Sequence, residues 1–271
     1  MSSSPGDRAS AEPADGGAPV PDVVIEPDAD RLARAAAEAL VARLAAAQAV
    51  HGTASVVLTG GGIGIAVLER VAGLAAEPVR ETVDWTAVDV WWGDERFVPA
   101  DEAERNEKQA RTALLDAVGV PPERVHAMPP SDGDFSEPED AATWYADQLA
   151  AAAPEGQVLP RLDLLLLGMG PEGHTASIFP ASPAVRDERT VVAVRNCPKP
   201  PPTRISLGFR AINSAEEVWL LVSGAGKAAA VARALAGADP QELPAAGVRG
   251  TRATRWLLDQ AAAAELPRSQ G

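Results

Sequence analysis

Residues 162–177 read LDLLLLGMGPEGHTAS, and their order decides the fold. Six residues that are nearly all leucine, bounded by a glycine turn, are too few for a spanning helix. They predict a strand buried on both faces. The pattern repeats along the chain. Residues 54–59 (ASVVLT) run into Gly60, Gly61, Gly62 and Gly64, and IAVLERVAGLAAE follows with helical period. Residues 86–92 (TAVDVWW) lead into a GDERFVP loop and a helix over 104–117, and residues 217–222 (EVWLLV) precede GAGKAAAVARALAG. Upstream, a helix starts at Asp28 or Asp30, either of which can cap it, and ends before Gly52. Further strands are expected at 190–195, 203–207 and 253–257, the last before a closing alanine-rich helix. Doubly apolar strands alternating with helices predict an α/β fold, a mainly parallel sheet with helices on both faces.

Composition narrows the rest. The chain has 271 residues, and 24 Lys+Arg against 38 Asp+Glu leave a net charge of −14, which disfavours nucleic acid and anionic membrane as partners. The single cysteine, Cys197, excludes an internal disulfide, and one Cys with three His shows no zinc-ligand spacing, so no metal is expected. No apolar stretch reaches membrane-spanning length and the N-terminus lacks a signal-peptide pattern, so the expected location is cytoplasmic. Residues 1–22, rich in Ser, Pro, Gly and Ala, are read as a disordered tail, and residues 23–271 as one domain.

Loops after parallel strands converge on one site. Gly60, Gly61 and Gly62 offer backbone N–H groups at a helix start, either a cradle for an anion or a plain tight turn. In the second loop, Arg96 can fork onto a phosphate with Asp94 or Glu95 orienting it, or the loop is a solvated salt-bridge cluster. The third loop formally matches G-x-G-x-x-G, yet Pro180 and Pro183 interrupt the helix that a dinucleotide fold needs. What remains there is His174 beside Glu172 and Gly173, a setting that suits a general base with an orienting partner. Lys227, one of three lysines, stands at a helix start in the fourth loop, suited to a phosphate or simply to solvent. Nucleophile-elbow and zinc-protease motifs are missing.

The blocks VDVWWGDERFVP, LLLLGMGPEGHTASIFP, TRISLGFRAIN and VWLLVSGAGKAAAVARAL, in this order over residues 28–266, closely resemble the 6-phosphogluconolactonase family. The resemblance implies a sugar-phosphate-isomerase-like fold shared with glucosamine-6-phosphate deaminase. It also implies hydrolysis of 6-phospho-D-glucono-1,5-lactone in the pentose phosphate pathway, without a cofactor. Two departures stand out: many members have Asp where this chain has Glu172, and a Ser-Thr-Pro run where it has Gly62-Ile63-Gly64. The second removes hydroxyls, so backbone amides must carry more of the contact.

The implied mechanism makes His174 the base that activates water and Glu172 its orienting partner. Arg96 and Lys227, with Arg204 as a weaker candidate, would focus positive charge on the substrate phosphate. Three rivals have distinguishing features. A deaminase resembles G-H-I-A-F-N-E-P where this chain has GHTASIFP. A sugar-phosphate sensor would carry a helix-turn-helix, for which residues 1–22 are too short and acidic, and a dehydrogenase would bind a nicotinamide cofactor.

Overall fold

The computed structural model describes residues 20–75 and 83–267. Nearly all of the expected tail thus lies outside the described residues. Its last member, Asp22, does not: it opens a strand, β1 (Asp22–Glu26), at one sheet edge. Then come α1 (Ala29–His51), β2 (Ala54–Leu58), α2 (Gly62–Ala75), β3 (Val88–Trp92) and β4 (Asp94–Arg96). The chain continues through α3 (Asn106–Ala110), α4 (Asp116–Val118), α5 (Pro138–Ala151), β5 (Leu164–Gly168), β6 (Val191–Val194) and β7 (Arg204–Leu207). It ends with α6 (Phe209–Ile212), β8 (Glu217–Val222), α7 (Ala228–Leu235) and β9 (Ala253–Asp259).

Six strands form one sheet in the order β1-β9-β8-β5-β2-β3, and all of its pairings are parallel. Period-two alternation sends Leu164 and Leu166 into a core under α1 and α2, and Leu165 and Leu167 into a second core under α5 and α7. Each fully buried leucine contributes about 1.5–3 kcal/mol. This explains why the run is apolar throughout rather than alternating.

α1 is built as its sequence predicts. The Asp28 side chain accepts from the Arg31 N–H, and Gly52 closes the helix with φ +77°. α5, which the sequence reading did not anticipate, is pinned by one buried side chain: Tyr145 Oη accepts the Trp92 N–H and donates to the His126 carbonyl, both at 3.0 Å. His126 itself stacks on Trp91 with ring centroids 3.8 Å apart, which makes it a packing residue.

Three further expectations are corrected. The GDERFVP segment is not all loop, because β4 pairs antiparallel with β7, and β7 with β6, in a separate three-stranded sheet. The helix expected over 104–117 starts at Asn106 and passes through a π-helical turn, Arg111–Leu115. Residues 260–265 form turns instead of a closing helix. There the Asp259 carboxylate takes the Ala262 N–H at 2.7 Å, and Pro267 leaves too few residues for a helix to propagate. Among the described residues no helix is long and apolar enough to cross a membrane.

Candidate active site

From β2 the chain moves outward to β3, whereas β5, β8 and β9 run the other way, so the sheet switches direction between β2 and β5. Ligands of open parallel sheets bind at such a switch, beyond the carboxyl ends of the strands. Here the two strand ends touch: the Gly168 N–H donates to Thr59 Oγ1 at 3.3 Å. A cleft of about 1040 Å³ opens above them, lined by Gly60, Gly61, Gly62, Asp94, Arg96, His174, Arg204 and Lys227. The four loops singled out in the sequence therefore meet.

After β5 the chain folds back on itself. The Gly170 N–H donates to the His174 carbonyl and the Gly173 N–H to the Gly170 carbonyl, both at 3.0 Å. The Ala245 N–H clamps the Gly173 carbonyl at 2.9 Å. Gly173 sits at φ +84°, where a side chain would also strike Leu243. At Gly170 a Cβ would lie 2.1 Å from His174 Nδ1 and 2.6 Å from Glu172 Oε2, so only glycine leaves room for the pair.

His174 Nδ1 is 3.0 Å from Glu172 Oε1, within reach but outside the angle of a straight hydrogen bond. The imidazole stacks on Phe179 with centroids 4.4 Å apart, and its side chain is 18% exposed. Burial holds its proton affinity below the ordinary imidazole value; Glu172 opposes this and Lys199 adds to it. Neutral imidazole is therefore the form at neutral pH. Burial would raise the Glu172 carboxyl, but its own backbone N–H, Lys199 and His174 together hold it below the usual carboxylate range.

β4 separates the two acids of the second loop. Asp94 turns to the cleft, accepting from Ser177 Oγ at 2.6 Å, while its carbonyl accepts from Asn106 Nδ2 at 2.8 Å. Glu95 points away, fully buried, and accepts the backbone N–H groups of Arg96, Asn106 and Glu107 at 2.8, 2.7 and 2.9 Å. Glu95 is thus the carboxylate that starts α3.

Five Arg or Lys side chains line the cleft against three Asp or Glu, so it is locally positive in an acidic chain. Arg96 donates one guanidinium nitrogen to the Glu104 carbonyl, and its buried Nε has no protein partner. Burial, with the like charge of Lys199, holds Lys227 below the ordinary lysine range. Arg204 lines the cleft too, but its Nε and one terminal nitrogen are committed to the carbonyls of Lys199, Pro200 and Pro201. Among the lining residues that the sequence did not single out are Lys199 and Asn106. Lys199 lies among prolines 25 positions after His174, by subtraction along the chain, and Asn106 offers a buried Oδ1 with no donor. Only the rarity of lysine pointed to the former.

The one group of described residues with metal-ligand spacing, His51, Asp163 and Glu216, stands at the opposite end of β5 and β8. Arg43 is already within ion-pair distance of both of its acids.

Residues 27–256 match the model of the family described as glucosamine-6-phosphate isomerases/6-phosphogluconolactonase. A 6-phosphogluconolactonase of Streptomyces coelicolor is 53% identical over 92% of this chain and 96% of its own length. One of Mycobacterium tuberculosis is 53% identical over 90% of this chain and 98% of its own length. Among solved structures, the 6-phosphogluconolactonase of Trypanosoma brucei superposes with a TM-score of 0.76 at 29% identity, covering 91% of this chain and 99% of the other. A monomeric glucosamine-6-phosphate deaminase shares the fold alone, at 18% identity and a TM-score of 0.73 over 90% of this chain and 99% of the other. Matched along most of its length by the family model and by relatives at 53% identity, the chain belongs to the glucosamine-6-phosphate isomerase/6-phosphogluconolactonase family.

Proposed function

We propose that this chain hydrolyses 6-phospho-D-glucono-1,5-lactone to 6-phospho-D-gluconate, as a cytoplasmic enzyme of the oxidative pentose phosphate pathway, with His174 as general base. The observation that carries the reading is a largely buried imidazole 3.0 Å from a carboxylate in a cleft lined by arginine and lysine. The 53%-identical relatives named for this activity support it.

In the proposed reaction Nδ1 of His174 faces Glu172, which leaves the Nε2 lone pair for a water proton. The resulting hydroxide adds to the lactone C1, and the carbonyl electron pair moves onto oxygen. Free N–H groups at the start of α2, over Gly62 and Ile63, can meet such an oxyanion or the phosphate. Collapse of the adduct breaks the C1–ring oxygen bond. The imidazolium returns its proton to that oxygen, restoring the base and giving the open-chain acid. Arg96 and Lys227 would bind the phosphate, Asp94 would accept from a sugar hydroxyl, and Arg204 would shape the wall. General-base help of this kind is typically worth about 10²- to 10⁴-fold.

The test is hydrolysis of freshly generated lactone by purified protein, read against the spontaneous rate. Acceleration with 6-phosphogluconate as product supports the reading. No acceleration by folded protein would overturn the reading, and ammonia release from glucosamine 6-phosphate would favour the isomerase branch of the family instead.

A further inference from the structure

The carboxylate beside His174 has a second partner that the reaction above does not use. Lys199 Nζ lies 3.1 Å from both Glu172 Oε1 and Oε2, so ammonium, carboxylate and imidazole form a continuous chain. Lys199 reaches it from the turn between β6 and β7. That turn is held from within: Arg204, its side chain 8% exposed, donates to the carbonyls of Pro201, Pro200 and Lys199 at 2.9, 3.2 and 3.4 Å. The Cys197 N–H closes it onto the Pro202 carbonyl at 2.9 Å. A buried guanidinium is thus spent on three backbone oxygens, and the product is a lysine aimed at Glu172.

We propose that Lys199 is a positioning residue: fixed through Arg204, it holds the Glu172 carboxylate against His174 and sets the pH above which the imidazole can serve as a base. The inference rests on His174 having that role. A lone carboxylate beside an imidazole favours imidazolium, which cannot accept a water proton. An ammonium that contacts both oxygens of the same carboxylate offsets that pull while keeping them in place. The charged groups facing His174 are Glu172 on its own loop, Lys199 from the β6–β7 turn and Asp94 from β4. Lys227, ahead of α7, faces Lys199 and Glu172, and Asp259 faces Lys227. Of the groups facing the imidazole, Lys199 is the one that opposes its protonation.

The test compares Lys199→Met and Lys199→Arg with wild type, using the pH profile of lactone hydrolysis and the NMR titration of the His174 imidazole, assigned by its loss in His174→Ala. In Lys199→Met the acid limb of kcat/KM should move to higher pH. Activity below the limb should fall roughly three- to tenfold, the size of a half- to one-unit move in a titration. The fall should appear in kcat more than in KM, and the imidazole titration should move the same way. Lys199→Arg should restore most of it. The titration needs no substrate: an imidazole that shifts in a chain without lactonase activity would support the role of Lys199 and overturn the reaction assigned above. An imidazole that titrates alike with and without Lys199 would overturn the inference. So would a raised KM with an unmoved limb, which would make Lys199 a phosphate ligand.

Discussion

The two glycine loops at the heart of the cleft have similar composition and opposite uses. After β2, Gly60, Gly61 and Gly62 pass directly into α2, a helix of 14 residues whose first N–H groups have no intrahelical acceptor. After β5, no helix follows; the N–H groups of Gly170, Gly173 and Ile178 are consumed inside the loop, which folds around one imidazole. One loop presents backbone and the other presents a side chain. Glycine content alone does not distinguish them. What separates them lies further along the chain: Ile63 opens an uninterrupted helical period, whereas Pro180 and Pro183 interrupt the one that would follow Gly170.

The comparison breaks most visibly at Gly170. Gly170→Ala puts a methyl group 2.1 Å from His174 Nδ1, and a loss of about 10²-fold or more in kcat is expected, comparable to losing the base. Steady-state kinetics with circular dichroism to confirm the fold would check it. The cations should act differently. Arg96→Ala and Lys227→Ala each remove a charge-assisted contact worth roughly 1.5–3 kcal/mol, which predicts a KM raised about 10- to 100-fold with kcat less affected. A KM that stays put in both variants would remove them from the phosphate site.

The β2 loop sharpens the contrast at lower cost. Gly60→Ala sets a Cβ 1.9 Å from Asn106 Oδ1, and relief of that overlap should cost about 1–3 kcal/mol in denaturant unfolding. Gly61→Ala meets no neighbour but must keep φ +84°, for a cost of about 1–2 kcal/mol. Gly62→Ala, unobstructed and without a positive φ, should change stability by less than about 1 kcal/mol. Equal effects at Gly61 and Gly62 would show that conformation is not what the first position requires.

Much of the fold is legible because its signals are local. The leucine run over 164–167 and the glycines that follow β2, β3 and β8 or end β5 name their elements without help from elsewhere. β1 is harder: it is an edge strand of five residues, held by pairing with β9 more than 200 positions away in sequence. α5 buries Ala141, Ala142, Tyr145 and Leu149 at a helical spacing diluted by alanine, and the feature that anchors it, Tyr145 bonded to Trp92 and His126, is a tertiary one. The site divides in the same way. His174 and Glu172 are two residues apart and visible as a pair, whereas the division of labour between Asp94 and Glu95 depends on β4 pairing with β7. The commitment of Arg204 to its own turn, and the arrival of Lys199 at Glu172, depend on the path between β6 and β7.

The most direct test of the account is the pH profile of kcat/KM for lactone hydrolysis by wild type and His174→Ala, each corrected for the spontaneous rate. Because burial lowers the proton affinity of His174, the neutral base persists to more acidic pH. The wild-type acid limb should therefore fall below the ordinary imidazole value of about 6.5, and the variant should lose about 10²- to 10⁴-fold of the activity. A variant with near-normal turnover, or a wild-type limb at or above that value, would contradict the assignment of a desolvated His174 as the base.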